Sequence, residues 1–346
     1  MKKIRLFSLF ILLPLLIGCQ KQQDAGEAIA FTFTDSLGRT VSFSEPIEKI
    51  APSGLLSQLP LFAIAPDMLA FWSSALPEEA AGYIDEKYGK LPVLGHLYGG
   101  KTGFDPEALL LADPDVVIDI GQPKNGMAEE LDALSEQTGI PFVHIDGSLS
   151  TMDKTFRMLG ELLGLEAEGE RLADYCEETY ALALSVLEKA GGKRSAVYLT
   201  GEDGLGVVTK GSYQAELIDL VAENAADTGH SIGKGTGSMT DLEQLYRWDP
   251  EVIFLAPGKL GEEIERDPLW QQLTAVQNGE VYEAPGAPYC WAGFPPSVQR
   301  YPGLLWMEKM LYPEAADFDL YAETARYFEL FYHHELTEEA FAGLIS

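Results

Sequence analysis

One fifteen-residue pattern occurs twice in this chain, at a constant offset of 136 residues. The first copy runs Phe104-Asp105-Pro106-Glu107-Ala108-Leu109-Leu110-Leu111-Ala112-Asp113-Pro114-Asp115-Val116-Val117-Ile118. The second runs Thr240-Asp241-Leu242-Glu243-Gln244-Leu245-Tyr246-Arg247-Trp248-Asp249-Pro250-Glu251-Val252-Ile253-Phe254. Each reads as a two-turn helix, an Asp-Pro stop and a buried strand, because the residue before proline is pushed out of the helical region. Two copies so far apart cannot stack as a solenoid, so they imply two similar lobes. Around them short β-rich runs alternate with helical runs, which predicts α/β layers. Strands are expected at 49–52, 68–72, 116–120, 142–145, 196–200, 206–209, 252–256 and 281–284. Helices are expected at 55–65, 106–112, 127–138 and 214–222.

Between the lobes, 165–190 has no proline and keeps Leu172, Tyr175, Cys176, Thr179, Leu182, Ala183 and Val186 at helical spacing. At 1.5 Å per residue it makes a rod of about 39 Å, long enough to lie along both lobes, and Gly191-Gly192 ends it. The expected fold is therefore α/β: two Rossmann-like lobes, 31–164 and 193–312, joined by one long helix, with a ligand cleft between them. A helical tail, 313–346, follows.

The first residues carry an address. Met1-Lys2-Lys3-Ile4-Arg5 precedes an apolar run from Leu6 to Ile17. That run is shorter than the ~20 residues a bilayer span needs and reads as a secretory signal, 1–18. It ends Leu16-Ile17-Gly18-Cys19, a bacterial lipoprotein box that makes Cys19 the lipidated residue and 19–30 a polar tether. The expected location is extracytoplasmic, held at a membrane through that lipid. Export permits a disulfide between Cys176 and Cys290, but two free, buried thiols are the simpler reading. With 54 acids against 24 bases, net charge −30, nucleic acid is excluded as a partner. An anionic ligand would need local bases.

The lipobox, the repeated Glu-(x)6-Pro-[Asp/Glu]-Val unit and the linking helix together resemble the helical-backbone solute-binding proteins of ABC importers for iron–siderophore complexes, haem and cobalamin. Phe31-Thr32-Phe33-Thr34-Asp35-Ser36-Leu37-Gly38-Arg39-Thr40-Val41 is similar to that family's opening strand pair, and Lys210-Gly211-Ser212-Tyr213 to its second-lobe entry loop. Phe294-Pro295-Pro296-Ser297, Arg300, Gly303, Trp306, Tyr312-Pro313 and the tail Phe328-Glu329-Leu330-Phe331-Tyr332 resemble a subgroup usually labelled iron-complex binders. Some similar proteins instead bind molybdate or tungstate. The resemblance implies a monomer without catalysis or resident cofactor. Iron, cobalt or molybdenum would arrive inside the ligand, for delivery to a permease dimer driven by a cytosolic ATPase. It also implies that Glu107 and Glu243, one per lobe, meet arginine pockets on that permease.

Loops after strands should carry the ligand. These are Ser53-Gly54, Trp72-Ser73-Ser74, the glycine-rich stretch 95–103 with Tyr98 and Lys101, Lys210 to Tyr213, and 288–293 with Tyr289 and Trp291. Lys101, Lys210 and Arg300 suit carboxylate or oxyanion oxygens. Tyr98, Tyr213, Tyr289 and Trp291 suit a planar macrocycle or catecholate, or iron through phenolate. Helix starts after Ser53 and Ser212 favour anions. Each aromatic is equally readable as lobe core, and each lysine as a solvated base. A bare-metal site is the weaker alternative: of five histidines, His333 and His334 lie in the tail and His144 inside a strand, leaving His96 and His230. The glycines of 233–237 lack the Walker spacing, His334-Glu335 lacks the second histidine of a zinc protease, and no Gly-x-Ser-x-Gly elbow occurs.

Overall fold

A computed structural model describes residues 30–96, 105–227, 238–258 and 260–345. The signal, Cys19, Tyr98, Lys101, His230 and the glycines of 233–237 lie outside the described residues. The first lobe begins with an antiparallel pair, β1 (Phe31–Thr34) and β2 (Thr40–Phe43). Next come β3 (Ile50–Pro52), α1 (Leu55–Ile64), α2 (Glu86–Gly89), α3 (Pro106–Ala112), β4 (Val116–Gly121), α4 (Met127–Thr138), β5 (Phe142–Asp146) and α5 (Met152–Leu163). Strands β3, β4 and β5 form a parallel sheet in that order. The long helix α6 (Glu166–Ala190) crosses to the second lobe.

That lobe holds β6 (Ser195–Thr200), β7 (Gly206–Val207), α7 (Glu216–Val221), β8 (Glu223–Asn224), β9 (Ser238–Met239), α8 (Leu242–Trp248), β10 (Val252–Leu255), α9 (Leu260–Arg266), α10 (Thr274–Gln277) and β11 (Val281–Glu283). Its sheet runs β11-β10-β6-β7-β9, with β8 also on β6. The chain closes with α11 (Arg300–Leu311), α12 (Leu320–Tyr327), a π-helical turn at Phe328–Tyr332 and α13 (Glu338–Leu344). This is the two-lobed α/β fold expected. No helix among the described residues is long and apolar enough to cross a membrane.

The repeat is real in three dimensions. Both α3 and α8 are seven residues long and begin one residue after an aspartate whose side chain accepts backbone N–H groups: Asp105 from Glu107 and Ala108, Asp241 from Gln244. Both end on an aspartate in the left-handed region, Asp113 at φ 48° and Asp249 at φ 37°, each followed by proline. Only three non-glycine residues among those described have positive φ, and two are these equivalents. Aspartate tolerates that region better than most residues, and proline then prevents the helix from continuing.

The expected strand at 68–72 does not form. Pro66 starts a 3-10 turn through Met68, and only single bridges, Ile50 to Leu69 and Trp72 to Val93, tie the segment to its neighbours. The run at 214–222 splits into a 3-10 turn, Tyr213–Ala215, and α7. Helix α5, which was not among the helices expected from sequence, folds back on α6 at a glycine contact. A Cβ on Gly169 would stand 2.6 Å from the Phe156 carbonyl oxygen.

Helix α6 buries Leu172, Tyr175, Cys176, Thr179, Ala183 and Val186 along one stripe. One apolar core runs from the first sheet through this stripe into α11 and the tail. At its centre Tyr175 meets Tyr301, Tyr327 and Phe331 at ring distances of 6.2, 5.9 and 5.4 Å, and Tyr327 stacks on Phe331 at 4.4 Å. Cys176 and Cys290 are free thiols.

Inside α11, Glu308 is fully buried and neither carboxylate oxygen has a hydrogen-bond partner among the described residues. Burial alone pushes its pKa up to about 8. The folded state holds the proton that the unfolded chain gives up near pH 4.5, so stability falls as pH rises through that window and levels off above pH 8. In Glu308→Gln this loss should vanish, so the gap between variant and wild type should widen by roughly 1 kcal/mol per pH unit across it. Urea denaturation at stepped pH measures this, and parallel curves would contradict it.

Candidate ligand cleft

Parallel strands deliver their carboxyl ends to one edge of each lobe. In the first lobe that edge carries Ser53 after β3, Gly121-Gln122 after β4 and Asp146-Gly147 after β5. In the second it carries Thr200-Gly201 after β6 and Ala256-Pro257 after β10. The lobes touch where these edges meet. Gln58 Nε2 donates to Tyr289 Oη at 3.4 Å, Ser297 Oγ to the Leu56 carbonyl at 3.0 Å, and Tyr213 Oη to the Gly147 carbonyl at 3.1 Å.

The first-lobe floor is a polar chain. Ser53 Oγ donates to the Asp119 carboxylate, whose other oxygen lies 2.7 Å from His144 Nδ1, and His144 Nε2 lies 3.1 Å from Asp146 Oδ1. His144 is fully buried, while the Asp146 side chain is about half exposed. Burial works against protonating His144, but the carboxylates of Asp119 and Asp146 outweigh it and raise its pKa above the ordinary imidazole range. At the rim, His96 stands against Gly54, and burial lowers its pKa.

The second-lobe wall is mostly carbon. A cavity of about 340 Å³ opens there between Val208, Met239, Pro257 and Phe294, over Tyr198 and Cys290. Met239 and Phe294 are 74% and 58% exposed, far more than large apolar groups usually are. The floor depends on Gly293, since a Cβ there would lie 2.7 Å from Tyr198 Oη and 2.9 Å from Cys290 Sγ. Burial raises the pKa of both Tyr198 and Cys290, so phenol and thiol stay protonated at neutral pH.

Several residues singled out from sequence have other work here. Trp72 and Trp291 are 1% exposed and give their indole N–H to the carbonyls of Tyr88 and Ala287, so they are lobe core. Ser53 is buried under the floor, and Tyr289 is buried at the lobe junction. Ser212 Oγ accepts from Ala215 N, so it serves the turn it begins. Lys210 is exposed and paired with Glu223 at 2.5 Å. Arg300 is also 1% exposed: a guanidinium N–H donates to Glu216 at 2.8 Å, and the group stands 5.6 Å from the Tyr213 ring centre. Glu216 in turn accepts from Leu149 N of the first lobe at 3.0 Å. Arg300 therefore latches the lobes and does not present itself to a ligand. Glu107 and Glu243 are both exposed on their equivalent helices.

Sequence reasoning missed Gln58, Asp119, Glu216, Met239 and Phe294. The signal for Asp119 was present, a lone charge within Val116-Val117-Ile118-Asp119-Ile120. Phe294 carried none, because exposure cannot be read from one aromatic in a proline-rich loop.

Arg300→Ala should strand Glu216 and cost about 3 kcal/mol of stability, the scale for breaking a largely buried pair. Urea denaturation measures it. Wild-type stability with selective loss of ligand affinity would instead make Arg300 a direct contact.

A family model described as periplasmic binding protein matches residues 68–288. The Fe(3+)-citrate-binding protein YfmC of Bacillus subtilis (strain 168) is 24% identical over 186 residues, 51% of this chain and 56% of that relative's length. The iron-uptake system-binding protein of the same organism is 22% identical over 306 residues, 82% of this chain and 90% of the relative. Among solved structures, an ABC transporter solute binding protein from Sulfurospirillum deleyianum aligns with TM-score 0.76 at 25% identity, covering 90% of this chain and 98% of that one. With two lobes, a spanning helix and a cleft at the strand ends, the chain belongs to the periplasmic binding protein family.

Proposed function

We propose that this protein captures an iron complex outside the cytoplasmic membrane and hands it to the permease of an ABC importer, without bond chemistry of its own. The observation that carries the reading is the contrast between the cleft walls. One wall is carbon-rich, with Phe294 and Met239 exposed. The other presents the half-exposed Asp146 carboxylate, backed by the buried His144. A metal wrapped in an organic shell can meet both: apolar shell against the first, polar or cationic groups against the second.

A free oxyanion is a poorer match. Of the three cations expected to hold one, Arg300 is tied to Glu216 and Lys210 to Glu223, and Lys101 lies outside the described residues. With a net charge of −30 on the whole chain, an uncompensated anion is also repelled. The names of the two Bacillus relatives, both iron proteins, point the same way.

On this reading Cys19 carries the lipid that keeps a monomer beside its permease. Glu107 and Glu243 are its docking acids, one on each lobe. The spanning helix allows a small change in lobe angle rather than wide closure, because a continuous helix resists hinging.

Calorimetric titration with ferric citrate, ferric hydroxamates, haem, cobalamin and molybdate tests the proposal. One of the metal chelates should bind with Kd of about 1 μM or tighter, and molybdate should give no heat. Phe294→Ala should weaken that chelate about tenfold, the loss of one well-placed aromatic contact. Tight molybdate binding with no chelate binding would overturn the reading.

A further inference from the structure

The carbon-walled cavity lies within one lobe. Every described residue that lines it, from Tyr198 to Phe294, belongs to the second lobe. Thr200 and Ala256, at the carboxyl ends of β6 and β10, are among them, so the cavity opens onto the cleft. A ligand held between the lobes therefore reaches it only with a part that projects sideways into the second lobe. The volume of about 340 Å³ equals about eleven waters at about 30 Å³ each. A six-coordinate ferric chelate with its connecting chains is too bulky for that space. One arm of such a chelate is not.

The lining sets the chemistry of that arm. Val208, Met239, Pro257 and Phe294 present carbon. At the floor the Tyr198 hydroxyl and the Cys290 thiol lie 3.3 Å apart and satisfy each other. The close packing of Gly293 against both fixes the depth of that floor. Asp203 is the only charged group among the described lining residues, and its Oδ1 already accepts from Leu205 N at 3.0 Å. It turns away an anionic group. Water in such a hollow finds few partners, so hydrocarbon that displaces it gains free energy. Met239, unbranched and 74% exposed at the mouth, can adapt to the shape of what enters. A flat carbon wall would only brace the outside of a chelate. A hollow has to be filled, because its lining otherwise lacks contact partners.

We infer that the ligand is an amphiphilic chelate: it carries an uncharged hydrocarbon arm, which the second-lobe hollow takes while the metal centre stays between the lobes. This rests on the transport reading above and narrows its ligand. Chelates without such an arm leave the hollow to water and bind more weakly. Those whose arm ends in a carboxylate meet Asp203.

The test holds the metal centre constant and varies only the arm. The terminal amine of ferrioxamine B is acylated with straight chains from acetyl to dodecanoyl, which gives a series of uncharged ferric complexes. Each is titrated calorimetrically into the mature chain, with Cys19→Ser to remove the lipid. Affinity should rise by up to about fourfold per added methylene, the scale of burying one such group, and level off at about ten carbons, when the hollow is full. Ending an eight-carbon arm in a carboxylate should cancel its gain. Ala256→Phe, which places a ring in the hollow, should flatten the series. Met239→Glu, at an exposed position harmless to the fold, should flatten it through charge. An affinity that ignores the arm, a rise that survives both variants, or no binding by any member overturns the inference. The transport reading is judged separately on the chelate panel above: it stands if a panel member binds, whichever way the series falls, and fails together with the inference if neither panel nor series binds.

Discussion

The contact between Tyr175 of the spanning helix and the tail residues Tyr327 and Phe331 is the constraint on which the molecule depends. Tyr301 of α11 closes the same cluster. Helix α6 belongs to neither lobe, and a bare rod would let the lobes rotate about it. The aromatic cluster removes that freedom, because α5, α6, α11 and the tail share one core. Each such ring pair contributes about 0.5–1.5 kcal/mol beyond the area it buries. More important, the rings interlock at fixed angles, so rotation of one element would open gaps around the others.

A fixed frame explains why the cleft is built from unlike materials. The lobes meet through Gln58–Tyr289, Ser297–Leu56 and the chain Arg300–Glu216–Leu149. These contacts form the floor of the crease, and one of them occupies Arg300, a cation otherwise free to face a ligand. What remains open is carbon on one side, around Phe294 and Met239, and on the other the Asp146 carboxylate, backed by buried His144 and Asp119. A solute that satisfies both walls has an organic face and a polar or cationic face, as a metal chelate does. Selectivity then follows from shape and desolvation more than from net charge.

Much of the architecture was legible in the sequence because it rests on local chemistry. The Asp-Pro stops fixed the ends of α3 and α8, and the uninterrupted helical spacing of 165–190 with Gly191 beyond it fixed α6. The strand expected at 68–72 failed because Pro66 starts a 3-10 turn that takes in Met68, leaving only single bridges to the neighbouring segments. The site was less legible. Arg300, Trp72 and Trp291 have the chemistry of ligand contacts, yet burial decides their role, and burial depends on neighbours more than two hundred residues away in the case of Ser297 and Leu56. Conversely, Asp119 and His144 betrayed themselves as charges inside apolar strands, while Met239 and Phe294 were invisible until their exposure was known.

The claim that the lobes form a rigid frame is tested most directly by electron–electron double resonance between spin labels at Glu107→Cys and Glu243→Cys. Both sites are exposed, Cys176 is buried, and Cys290, half-buried under the cavity, is first replaced by serine. The account predicts one narrow distance peak in the free protein, shifting by less than its own width when the bound chelate is added. A broad or double peak, or a shift well beyond that width, would contradict it.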